Sequence, residues 1–312
     1  PYFLSRPFKP LNTLMVIDIS ALLALGAAFS WTLAALFSHR PANELGSLHF
    51  NRVRMIAAVL IMLGLLVLTG RPMDITLSHL WLIALSSITG VVFGDFFLFA
   101  ALRRIGPRRT NVLFATNAVF AALLGWVILG EALTSLTGLA ILCGFCGVVL
   151  AVIYGKRRDL VHQWETITPP LWIGVLLALL AAVFQALGVL AVRPVMADGA
   201  DPVAVGLARV AIGAVVFWAT FPFDSRMKGR PLFPRGRTLM LVVLNGLFGL
   251  GVGAAMLLEA LEEGSVAMVT ILSSTTPVLI LPFIWAQTKR APAPGAWIGA
   301  MLVVLCTWLL VF

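Results

Sequence analysis

Charge is what this sequence has least of. Only 11% of its 312 residues are Asp, Glu, Lys or Arg, where an ordinary soluble chain has about a quarter. Hydrophobic residues make up 61% and the mean hydropathy is +1.03. A soluble surface cannot hold that apolar excess, which excludes a cytosolic enzyme, a secreted disulfide scaffold, a disordered chain and a nucleic-acid-binding domain. The net charge of +9 does not restore nucleic acid as a partner. It is spread over short gaps between apolar runs, where it reads as orientation charge facing anionic lipid. Cysteine is scarce too: Cys143 and Cys146 fall in one CGFC, and Cys306 lies in another apolar run. With no basic neighbour to lower a thiol pKa, they read as packing thiols, not as a redox pair.

Motifs for catalysis are also missing. There is no His-Glu-x-x-His and no Gly-x-x-x-x-Gly-Lys-Ser/Thr, and Asp95 has no second membrane-embedded aspartate to make an intramembrane protease. No enzyme activity, no metal and no cofactor is expected. No gap between apolar runs is long enough to fold as a soluble domain. No cleavable signal peptide is read, and the opening at Pro1 leads us to expect a short preceding piece.

What the sequence does have is length of apolar run. A bilayer-crossing helix needs about 20 mostly apolar residues. That ruler gives ten spans, at 15–37, 47–69, 78–101, 110–129, 135–154, 171–192, 203–222, 237–260, 265–287 and 294–312. Proline and glycine punctuate the gaps, as at Arg40-Pro41, Gly106-Pro107 and Asp201-Pro202. Trp81, Trp172, Trp218, Trp285 and Trp297 fall near span ends, where an amphipathic ring suits the interface.

The chain repeats itself. A shift of 159 residues lays Gly90 on Gly249, Gly94 on Gly253, Ala101-Leu102 on Ala260-Leu261, Val119 on Val278 and Trp126 on Trp285. Slightly smaller shifts pair Arg52 with Arg209 and Trp31 with Gln185. We therefore expect an all-α polytopic membrane protein of ten transmembrane helices in two five-helix repeats, 1–158 and 159–312. Five is odd, so the second repeat enters the membrane inverted. Two such halves can exchange conformations around a midplane site, a pattern that favours transport by alternating access.

Local motifs then narrow the family. The segment GDFFLFAALRRIGPRRTNVLFATNAVFAALLGWVILGE (94–131) resembles the third and fourth helices of EamA-type transporters of the drug/metabolite transporter superfamily. The second copy, LLEALEEGSVAMVTILSSTTPVLILPFIWA (257–286), has the family's ninth-helix proline at Pro277. Two positions depart from the pattern: Ala118 stands where the first copy's proline belongs, and Gly130-Glu131 aligns with Lys289-Arg290. The resemblance implies a ten-helix basket whose cavity is lined mainly by helices 1, 3, 4, 6, 8 and 9. It also implies export or exchange of small metabolites such as amino acids, in a plasma membrane (for a bacterium, the inner membrane).

Polar groups at membrane depth are costly, so each needs a reason. Asp95 is either a coupling carboxylate facing the cavity, with protons as the coupling ion, or a buried partner for an arginine. Arg52 and Arg209 either bind backbone carbonyls near helix ends or attract an anionic group on a substrate. Arg52 and Arg54 are about 200° apart on a helix and cannot share one cavity. Glu259 is either a cavity group or a helix-end carboxylate reaching for the interface. Ser30, Trp31, Asn117 and Gln185 are mid-span polar groups. Ser273, Ser274, Thr275 and Thr276 precede Pro277, which removes a helix hydrogen bond and frees a carbonyl. We expect this run on the substrate path. The Gly246–Gly253 ladder reads as close helix packing. Partners are a small-molecule substrate and the bilayer, with the chain a monomer or a weak homodimer.

Basic residues orient the chain. Fifteen of the 22 lysines and arginines fall in gaps after odd-numbered helices, and four (Arg6, Lys9, Arg71 and Arg193) on the opposite side. Short basic loops stay cytoplasmic, so both termini are expected outside.

Overall fold

The computed structural model describes residues 19–130, 134–154, 170–224, 231–288 and 294–305 apart from 296, 300, 303 and 304. The helix-end residue Glu131, the aligned pair Lys289-Arg290, Cys306 and the basic residues of 156–158 and 226–230 lie outside the described residues. The described residues form helices and no strand. In chain order these are α1 Ile19–Leu45, α2 Ser47–Thr69, α3 Leu77–Ser86, α4 Asp95–Phe114, α5 Asn117–Leu129 and α6 Ser135–Tyr154. The second half supplies α7 Leu171–Ala197, α8 Pro202–Ala219, α9 Gly236–Gly246, α10 Ala254–Glu263, α11 Val266–Ser273 and α12 Thr276–Thr288.

Six stretches of the described residues are long and apolar enough to cross a membrane: Ile19–Ser38, Ser47–Thr69, Leu77–Ile105, Leu171–Ala197, Pro202–Phe223 and Gly236–Glu263. Asn117–Leu129 and Gly138–Gly147 are shorter apolar helices. The long stretches carry large exposed apolar side chains, among them Leu22, Phe29, Leu60, Leu68 and Val215. An apolar exterior of that extent calls for lipid. The protein is a multi-pass membrane protein.

Local chemistry explains the helix ends. Asp201 caps α8, its Oδ1 accepting from the Val203 and Ala204 N–H groups at 3.0 and 2.9 Å with Pro202 in the first turn. Its second oxygen pairs with Arg71 at 3.2 Å, which ties the start of α8 to the end of α2. Two helices overrun their expected ends: α1 continues through Pro41 and α7 through Pro194. Past Pro41, an Arg40–Glu44 pair at 2.6 Å supports the last turn of α1, and Thr238 donates to Glu44 at 2.6 Å. Those two hydrogen bonds hold the Glu44 carboxyl below the usual carboxylate range.

The two halves share two irregularities, each at matching positions. The segments Ser87–Gly94 and Leu247–Gly253 are π-helical and join α3 to α4 and α9 to α10. The widened turn opens backbone carbonyls to side chains of the neighbouring helix. Ser30 Oγ donates to Phe248 O at 2.6 Å and Trp31 Nε1 to Gly249 O at 2.9 Å. From just before each π segment the bonds run the other way, Ser86 Oγ donating to Gly188 O on α7 at 2.5 Å and the matching Asn245 Nδ2 to Ala34 O on α1 at 2.8 Å. Backbones meet closely here. A Cβ on Gly188 would lie 2.5 Å from Gly90 Cα, a contact that only two glycines permit.

The second irregularity is a helix break. Sequence punctuation places a gap at Gly106-Pro107, but α4 runs through it and the chain breaks at Ala115-Thr116 instead. The cause is side-chain competition for carbonyls. Thr116 Oγ1 bonds Leu113 O at 2.6 Å and Asn117 Nδ2 bonds Phe114 O at 2.8 Å. At the matching break between α11 and α12, Thr275 Oγ1 bonds Leu272 O at 2.7 Å and Thr276 Oγ1 reaches Ser273 O at 3.4 Å. The first copy therefore breaks without the proline that the second copy has at Pro277.

Candidate functional site

Both breaks and both π segments face one cavity of about 210 Å³ between the two halves. Its apolar wall comes from residues such as Ala34, Val91, Leu98, Phe99, Leu250 and Leu257. Three charged groups stand in that wall: Arg54 from α2, Asp95 at the start of α4 and Arg209 from α8.

Arg54 and Asp95 form an ion pair, with Arg54 nearly buried at 5% side-chain exposure and Asp95 at 16%. The guanidinium lies over the Phe99 ring at 5.0 Å and the Phe50 ring at 5.7 Å, and its Nη1 approaches Asn245 Oδ1 at 3.4 Å. Asn245 is itself fixed through Ala34 O, so the pair is held from both halves of the chain. Among the described residues Arg209 has no such partner. It is 5% exposed, its Nε meets no acceptor and no carboxylate lies within 4 Å of its guanidinium. The Asp95 charge reaches it only through space.

The remaining polar lining is arranged by the same pseudo-symmetry. Trp31 and Gln185, matched in the repeat, bend over matched glycines. A Cβ on Gly253 would come within 2.6 Å of Trp31 Nε1, and one on Gly94 within 3.2 Å of Gln185 Oε1. Where the two breaks meet, Ser274 Oγ donates to Asn117 Oδ1 at 3.2 Å. Thr270 presents a buried hydroxyl that has no partner among the described residues.

Of the residues singled out from sequence, Trp31, Asp95, Asn117, Gln185, Arg209, Ser273, Ser274 and Thr276 line the cavity. Ser30 and Thr275 are spent on helix carbonyls, and Glu259 is half-buried on α10. Arg52 is fully buried, away from the cavity, against the end of α8. Sequence reasoning missed Arg54, Asn245 and Thr270. The lining also includes the second and seventh spans, α2 and α8, which the family resemblance leaves out. Those two helices bring both arginines.

The model of the EamA-like transporter family matches the chain twice, over residues 18–153 and 172–312. The chain belongs to the EamA-like transporter family. It is a membrane transporter of the drug/metabolite transporter superfamily, as the two-copy match implies. No curated protein matches it. A solved crystal structure of a protein superposes with a TM-score of 0.73 at 20% identity, covering 93% of this chain and 95% of that one. That likeness extends the shared fold over nearly the whole chain.

Proposed function

We propose that this EamA-family protein is a secondary-active carrier that exports a small polar metabolite, with amino acids the leading class, by alternating access. In this reading ten spans form two inverted five-helix repeats, 1–158 and 159–312, in a plasma membrane that for a bacterium is the inner one. The chain works as a monomer or weak homodimer, with protons as the coupling ion. The observation that carries the reading is the cavity between the halves, where paired helix breaks and paired π segments converge on three charged groups. Discontinuous helices around a site between repeats are how such carriers bind a solute and change access to it. Exchange of an organic anion is the second reading, favoured by the unpaired Arg209.

Purified protein in proteoliposomes loaded with candidate metabolites is expected to show counterflow: labelled solute enters faster when unlabelled solute waits on the far side. Flux that rises linearly with concentration and ignores the far side is a channel's, and it overturns alternating access. Binding without flux is that of a membrane-embedded binding or regulatory protein.

For orientation we propose both termini outside, on the basic-residue bias. A C-terminal alkaline phosphatase fusion should then be active and a green fluorescent protein fusion dark. The opposite pattern puts the termini in the cytoplasm.

A further inference from the structure

Resting on the reading of the cavity as the substrate site, we propose that Arg209 is a subsite for an anionic group and that the substrates are small carboxylates. Three observations lead there. Arg209 is a cation in a membrane span, nine-tenths buried, with no acceptor for its Nε and no carboxylate within 4 Å among the described residues. Such a group is normally paired with another residue or marks a ligand path. The one carboxylate among the described residues of the cavity wall is already engaged by Arg54, and Asn245 and two aromatic rings hold that arginine in place. Among the described lining residues two cations and one carboxylate leave a single positive charge in excess, which one bound monoanion neutralises.

Space and dipoles agree with this placement. Gly90 keeps the ground beside the guanidinium open, since a Cβ there would sit 3.4 Å from Arg209 Nη2. α5 and α12 both start at the cavity, from Asn117 and Thr276, and their positive ends favour an anion. A guanidinium fork matches a carboxylate in a way an ammonium does not. The same carboxylate belongs either to a simple organic anion, which removes the excess charge, or to a zwitterionic amino acid, whose ammonium faces the partly exposed Asp95 and leaves the net charge of the site unchanged.

The test uses the purified full chain and matched probes. For leucine, threonine and phenylalanine, each amino acid is compared with its decarboxylated amine and its deaminated monocarboxylate in thermal-shift titrations. Stabilisation by one or more carboxylates and by none of the amines is expected. Amino acids alone identify the zwitterion as the source, and monocarboxylates as well identify the organic anion. Arg209→Gln should weaken carboxylate binding by about tenfold to a hundredfold, and Arg209→Lys by less. If Arg209→Gln does not fold, the lysine variant and the native ligand series still decide. Stabilisation by amines, by none of the carboxylates, or equally in native and Arg209→Gln protein overturns the subsite. Counterflow of amines alone would retain the carrier and remove the subsite; carboxylate binding without counterflow would do the reverse.

Discussion

Asp95→Asn is expected to lower the initial transport rate in proteoliposomes at least about tenfold and to destabilise the protein by about 3–5 kcal/mol. The size follows from what the substitution leaves behind. Asp95 neutralises Arg54, which at 5% exposure has no water to turn to. Asparagine leaves two arginines facing an apolar cavity without a counter-charge, and an uncompensated buried charge costs far more than the pair contributes. Replacing both partners, as in Arg54→Met with Asp95→Leu, should restore most of the stability, because an apolar pair of similar volume carries no stranded charge. It should not restore transport. Thermal unfolding and initial rates measured on the same preparations separate the two effects. An Asp95→Asn protein that melts and transports like the native one sinks the assignment. Native transport that ignores an imposed pH gradient removes Asp95 as a proton carrier while leaving its role as counter-charge.

How much of this site was legible in the sequence differs by residue. The repeat paired Trp31 with Gln185 and Gly90 with Gly249, and Pro277 marked the hydroxyls before it; all of these but Thr275 line the cavity. Polar residues within apolar runs, and offsets of about 154 to 159 residues between the halves, carry that information directly. Exact helix ends were not legible. The break at Ala115-Thr116 depends on Thr116 and Asn117 bonding backwards to Leu113 and Phe114 carbonyls, while Gly106-Pro107 looked the stronger punctuation. Of the charges, Asp95 and Arg209 were legible as polar groups at membrane depth, but Arg54 and its pairing were not, because symmetry fails there. In the offset alignments Arg54 falls on Ala211 and Asp95 on Ala254, so the ion pair belongs to one half only. Asn245 had a signal that went unread: it falls on Ser86, and both donate to a first-helix carbonyl of the opposite half.

The sharpest failure of symmetry is the matched pair Arg52 and Arg209, and the predicted consequence is a loss of stability at one and of binding at the other. Arg52 Nε donates to Phe217 O at 3.1 Å, Nη1 to Asp224 at 2.8 Å and Nη2 to Thr220 Oγ1 at 2.8 Å, above the Phe221 ring at 5.4 Å. Trp218 Nε1 closes the clasp by donating to Arg52 O at 3.2 Å. The same offset carries Phe217, Thr220 and Asp224 onto Leu60, Leu63 and Val67, which are exposed apolar side chains on α2. Leu63 and Val67 have no side-chain acceptor to replace Thr220 and Asp224, so Arg209 lacks the clasp that keeps Arg52 out of the cavity. Arg54, about 200° from Arg52 around α2, takes the cavity position instead. Arg52→Ala should therefore cost about 3–5 kcal/mol, since it takes the guanidinium partner from Asp224 and empties a fully buried site. Arg52→Lys should recover only part, because a point charge cannot make the three-way fork. Unfolding of the purified variants in detergent measures the cost. Relative rates for different substrates, taken below the unfolding temperature, should match those of the native protein. A native-like melting temperature for Arg52→Ala, or an altered order of substrates, contradicts the structural role and returns Arg52 to the substrate path.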